Sequence, residues 1–165
     1  MQTRLADRLQ TAHLESSASL QWLAVRAAER RYLIPLCQAG EIFPWRTPKA
    51  VPYTQPWFWG VANLRGSLTG VVDLACLMGV SARRAEPRMA QASIITFHPT
   101  LEFNAGLVVD QLLGLRGEKD FSAAPDDGVG DASADAIYLD TNGERWQELQ
   151  LPRLLQSSEF LQVRV

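Results

Sequence analysis

The chain has 165 residues, 47% hydrophobic and 21% charged, with a formal net charge of −2. That size and balance fit one globular domain, or two small subdomains around a common core. They exclude a chain-wide attraction to nucleic acid or anionic membrane. Two distant cysteines, Cys37 and Cys76, with no C-x-x-C, argue against a disulfide framework and fit a reducing compartment.

Residues 3–15 read as a short amphipathic helix, docked or frayed, with Leu5, Leu9 and Ala12 on one face and Arg4, Asp7, Arg8 and Glu15 elsewhere. The N-terminus shows no apolar signal-type run, and no stretch approaches the roughly 18 apolar residues of a membrane helix. A cytoplasmic protein without direct membrane insertion is expected. Residues 1–19 are therefore an extension, and 20–156 form the domain proper. Leu20 to Arg26 and Arg31 to Leu36 flank a polar turn as a β-hairpin, and Glu41-Ile42-Phe43 is a further strand. Prolines 44, 48, 52 and 56 make the stretch 44–57 a long loop that Trp45, Tyr53 and Trp57 can anchor.

Residues 60–74, Gly-Val-Ala-Asn-Leu-Arg-Gly-Ser-Leu-Thr-Gly-Val-Val-Asp-Leu, are two β-compatible runs around a glycine turn, with Arg65 at the turn. Asp73 to Met78 reads as a helical turn closed by Gly79. Residues 81–91 are a polar loop carrying Arg83, Arg84 and Arg88. Strands follow at 92–98 and 103–110 around Pro99-Thr100.

The run Gly70-Val-Val-Asp73-Leu is echoed by Leu107-Val-Val-Asp110-Gln, so Asp73 and Asp110 are both expected to cap short Leu-rich helices ending at Gly79 and Gly114. Residues 118–135, with six acidic residues against one lysine, read as a mobile acidic loop. Segments 137–139 and 145–149 form a hairpin around Asn142-Gly143. Leu151 to Gln156 is a last helix with Pro152 at its start, and 157–165 are a tail.

No constellation for catalysis stands out. His13 and His98 lie apart, and no metal-ligand spacing, nucleophile elbow or phosphate loop occurs. No metal and no cofactor are expected. Trp57-Phe58-Trp59 beside Arg65 is open to three readings: core packing, a protein-interface hot spot, or a base-stacking platform for single-stranded nucleic acid. Strand alternation would put Trp57 and Trp59 on one face and Phe58 on the other.

The segment Pro56-Trp-Phe-Trp-Gly60-Val-Ala-Asn63-Leu-Arg65-Gly66, with Val71-Val-Asp73-Leu74, resembles the signature of CheW-like chemotaxis coupling proteins. Cys37-Gln-Ala-Gly40-Glu41-Ile42 is similar to the family's V-x-E-I strand, with Gly40 as a departure. The polar run Trp146 to Gln150 is a second departure, because the family has an apolar strand there. The long proline- and tryptophan-rich loop and the N-terminal extension are most similar to the PilI type of twitching-motility systems.

The resemblance implies an all-β fold with a few short helices, two small five-stranded SH3-like barrels around a shared hydrophobic core. It implies a non-enzymatic adaptor with two partners: the regulatory domain of a CheA-type histidine kinase and the cytoplasmic tip of a methyl-accepting chemoreceptor. It assigns partner contacts to Glu41, Gly60, Asn63 and Arg65, to which the aromatic reading adds Trp57 and Trp59. Arg65 could instead hold a salt bridge within the domain. The alternative from residue chemistry is a β-barrel nucleic-acid binder.

Overall fold

A computed structural model describes residues 20–83, 91–123 and 136–163. The helix expected at 3–15 and most of the loops expected at 81–91 and 118–135 lie outside the described residues. Eleven strands are described: β1 Gln21–Ala27, β2 Arg30–Pro35, β3 Ala39–Pro44, β4 Phe58–Leu64, β5 Ser67–Asp73, β6 Ser93–Phe97, β7 Ala105–Val109, β8 Gln111–Gly117, β9 Ser122–Ala123, β10 Ile137–Leu139 and β11 Arg145–Glu148. Three short helices accompany them: α1 Leu74–Leu77, α2 Leu151–Gln156 and α3 Ser158–Leu161. The strands form a six-stranded sheet, β8-β1-β2-β11-β10-β9, and a five-stranded sheet, β3-β6-β7-β5-β4. The second sheet is built entirely from chain lying between β2 and β8 of the first, so the two units are intertwined.

Strict alternation explains why the strands read as nearly continuous apolar runs. Leu23 and Val25 of β1 face the large central cluster, together with Tyr32 and Ile34 of β2. Ile42, Val72, Ile95, Leu107 and Val109 of the second sheet meet them there. Their neighbours point the other way. Trp22, Ala24 and Leu33 join Trp146 in a core private to the first sheet. Trp59, Ala62, Leu64, Val71, Ile94 and Val108 form one private to the second. Each sheet therefore buries both faces, one in its own core and one in the shared core.

Three expectations are corrected. Residues 111–117 are strand, not helix: β8 pairs with β1 from Gln21↔Gly117 to Arg26↔Gln111. Gly114, at φ +97°, marks the register shift opposite Ala24/Val25 rather than a helix end. Asp110 consequently caps no helix. Its carboxylate accepts a hydrogen bond from the Ala28 N–H (2.7 Å), holding the β1–β2 turn where Ala28 takes φ +54°. The acidic segment starts as ordered chain. Residues 118–120 form a 3-10 turn, β9 pairs with β10, and Phe121 packs against Trp22 and Trp146, each at a ring distance of 5.7 Å. Lastly, the expected tail contains α3, whose Phe160 is buried in the central core.

The polar run 146–150 also has a physical reason. The Trp22 indole N–H donates to Glu148 Oε2 (2.8 Å), and Gln150 Nε2 donates to Glu148 Oε1 (2.5 Å). Gln38 Nε2 then donates to Gln150 Oε1 (2.6 Å), and the Leu151 N–H donates to Gln38 Oε1 (2.8 Å). This relay satisfies a buried carboxylate and ties the private core of the first sheet to the start of α2 and the base of β3.

Candidate functional site

The signature is the β4–β5 hairpin and the helix after it. Its two-residue turn needs positive φ at both central positions, and Arg65 (+50°) and Gly66 (+78°) supply it. That conformation is easy for glycine and strained for arginine. It sends the Arg65 guanidinium across to β3, where Nη1 lies 3.0 Å from Glu41 Oε1. The two side chains remain 75% and 47% exposed, so this is a solvent-facing pair.

The pair spans the gap between β3 and β4, the two edge strands of this sheet. Arg46 Nη1 spans the same gap by donating to the backbone carbonyl of Asn63 (2.7 Å). Gly40 explains the departure from the V-x-E-I pattern. A Cβ there would fall 2.6 Å from Thr96 Oγ1 and 2.7 Å from the Phe97 carbonyl, so only glycine lets the β3 bulge press on β6. The adjacent Glu41 N–H donates to Thr96 Oγ1 (2.8 Å), which orients the carboxylate toward Arg65.

Beside the pair lies a groove of about 630 Å³, with Glu41, Arg65, His98, Glu102, Phe103 and Asn104 among its lining residues. Asn104 Nδ2 donates to the Leu68 carbonyl, and its Oδ1 accepts from Thr69 Oγ1 (3.3 Å), which fixes the start of β5. The sequence reading missed His98, Glu102 and Asn104. They sit at a turn and a strand start with no spacing signal, and only sheet pairing brings them opposite the signature.

The other expected contact residues have different places. Gly60 is buried at φ +127°, and a Cβ would lie 2.0 Å from the Lys49 carbonyl; it is where the 44–57 loop crosses β4. Trp57 and Trp59 are 8% and 4% exposed. They do not share a face, because a register shift between Phe58 and Gly60 separates them into different cores. Trp57 stacks on Phe160 at 5.6 Å. The Trp59 indole N–H donates to Asp73 Oδ2 (3.3 Å), while Asp73 Oδ1 accepts from the Cys76 N–H (3.4 Å) as the N-cap of α1. These tryptophans support the hairpin from beneath and cannot stack nucleobases, so the nucleic-acid reading loses its platform.

Among the described residues no group of three or more His, Cys, Asp or Glu could hold a metal ion, and no helix is long and apolar enough to cross a membrane. The site consists of an exposed ion pair on a strained turn beside a groove of mixed polar and apolar lining. Residues 21–159 match the CheW-like domain family, and the chain belongs to that family.

The protein PilI of Pseudomonas aeruginosa is 29% identical over 113 residues, covering 68% of this chain and 61% of PilI. The chemotaxis protein CheW of Bacillus subtilis is 36% identical over 64 residues, covering 39% of this chain and 40% of that protein. The matches thus span less than two thirds of these relatives' lengths. The crystal structure of the scaffolding protein TtCheW from Thermoanaerobacter tengcongensis superposes with a TM-score of 0.68 at 21% identity. It covers 86% of this chain and 96% of that one, and supports the CheW-like fold.

Proposed function

We propose that the chain is a non-enzymatic adaptor that couples chemoreceptors to a CheA-type histidine kinase in the cytoplasm, in chemotaxis or in the signalling that drives type IV pilus twitching. The observation that carries this reading is the exposed Glu41–Arg65 pair beside the 630 Å³ groove, built on the most diagnostic stretch of the sequence. Membership of the CheW-like family and the likeness to PilI and CheW support it. Glu41, Arg65 and the neighbouring Asn63 are the contact residues of this reading; Gly60, Trp57 and Trp59 shape the hairpin that presents them.

The test is binding of the purified chain to the regulatory domain of a CheA-type kinase and to a chemoreceptor tip fragment. Affinity near the micromolar range, about −8 kcal/mol, is expected for a modest interface. Arg65→Glu should weaken it at least about tenfold, because a like charge then faces Glu41 and the partner. If the unmodified chain binds neither fragment, the adaptor reading is wrong.

A further inference from the structure

The chain after β3 runs back beside β4, where Lys49 and Val61 exchange both backbone hydrogen bonds (2.7 and 2.9 Å). Four cations mark this seam at alternate residues of β4 and its turn. The Arg83 guanidinium lies over the Trp59 ring, 4.4 Å from its centre. Lys49 stands opposite Val61, Arg46 Nη1 donates to the Asn63 carbonyl (2.7 Å), and Arg65 occupies the turn. All four residues are exposed. From Trp59 to Arg65 the stripe runs roughly 20 Å at the ordinary rise of a strand. Its anchor points are roughly 7 Å apart, inside the ~8 Å screening length at physiological salt, so the fields of neighbouring cations add. Among the described residues, Glu41–Arg65 is the only ion pair on it.

We propose that this stripe docks an acidic polypeptide segment of a partner protein. Three of its cations are arginines, whose planar guanidinium pairs with carboxylates as a fork. Each arginine is held before any partner arrives: Arg83 by the face of Trp59, Arg46 by the Asn63 carbonyl, Arg65 by the turn and Glu41. Cations already in place lose less side-chain freedom on binding. A guanidinium also has more N–H donors than these single contacts use.

Other polyanions fit this edge less well. A single-stranded nucleic acid needs aromatic faces to stack on, and Trp59 is buried beneath Arg83. An anionic membrane would meet a chain of net charge −2. It would also find no apolar anchor: the exposed large hydrophobic residues, among those described, all lie outside segments 45–49, 59–65 and 81–83. A carboxylate-bearing segment satisfies the stripe by charge alone. The inference goes beyond the adaptor reading and does not rest on it, because it concerns the charge that this edge selects.

The test uses the full chain and a fluorescein-labelled oligoglutamate long enough to span the stripe, at low ionic strength. Amide chemical shifts of the isotope-labelled chain should move at 45–49, 59–65 and 81–83 as the peptide is added. By fluorescence anisotropy, Arg46→Glu/Lys49→Glu should weaken binding about tenfold. Arg116→Glu/Lys119→Glu changes the net charge equally at exposed positions on and after β8, and should weaken it by less than about twofold. Arg46→Gln/Lys49→Gln should give an intermediate loss, and it decides the matter if the reversed variant melts early. No binding, shifts confined to other segments, or equal losses in the two reversed variants would overturn the proposal. Tighter binding of oligothymidylate at the same amides would overturn it in favour of nucleic acid, and of phosphatidylserine vesicles in favour of a membrane. Failure of the kinase and receptor fragments to bind overturns the adaptor reading and leaves these readouts unaffected.

Discussion

Two glycines and one arginine show how differently single residues of the same hairpin are constrained. At Gly60 a side chain would meet backbone at 2.0 Å and a φ of +127°. Gly60→Ala should therefore cost about 2–5 kcal/mol, from backbone strain plus overpacking. Gly66 has open space around it and only its φ of +78° to defend, so Gly66→Ala should cost about 1–2 kcal/mol. Urea unfolding of the two variants measures the difference, and equal costs would mean that the Lys49 contact is unimportant. Arg65 is constrained by conformation but not by burial. An exposed pair contributes at most about 1 kcal/mol, so Arg65→Glu should lower the melting temperature by no more than about 4 °C. A larger drop would make Arg65 a structural residue. The Glu41→Arg/Arg65→Glu exchange should restore the small stability loss and leave partner binding impaired.

At the level of elements, the β10–β11 hairpin depends on one carboxylate. Asp140 accepts from the indole N–H of Trp146 (3.0 Å) and from the backbone N–H groups of Asn142 (2.8 Å) and Glu144 (2.9 Å). The Trp146 hydrogen bond first, then the two backbone donors and the nearby Arg31, hold its pKa below the ordinary aspartate value. The folded state thus binds this proton less readily than the unfolded one. The associated stability is fully present above the ordinary aspartate pKa and is lost as pH falls through the lowered folded value. Melting curves followed by Trp146 fluorescence should show this acid-side loss, and Asp140→Asn should flatten it. An unchanged acid slope in that variant would remove Asp140 as a source of the pH dependence. The α3 helix illustrates a different dependence: four residues stay ordered because Ser157 caps them and Phe160 lies between Trp57 and Phe103.

Over the whole molecule, the central cluster draws residues from both sheets and from α1, α2 and α3, and the Gln38–Gln150–Glu148–Trp22 relay joins the private core of the first sheet to it. Neither sheet keeps its inner face covered without the other. Unfolding should accordingly be a single transition. Chains retaining only Trp22, only Trp57 or only Trp59 report on three different cores, and their denaturation midpoints should coincide once corrected for each variant's own stability by far-UV circular dichroism. Separate midpoints within one variant would show that the two sheets unfold independently.

By itself the sequence determined the strands with regular apolar alternation, the Asn142-Gly143 hairpin, the Asp73-capped turn and the motif that marks the family. Each of these is encoded within about ten consecutive residues, through side-chain period, turn chemistry or capping. Tertiary structure alone decided the rest. Leu112, Leu113 and Leu115 follow an acid like a capped helix, yet become strand because β1 offers a full-length partner edge. Trp57 and Trp59, two residues apart, part company because a bulge at Gly60 breaks the alternation. Glu41 and Arg65 are 24 residues apart, and His98 and Asn104 lie further along the chain. They converge because β3 and β4 are the two edges of one sheet, and strand order is set by the packing of a shared core that no local pattern records.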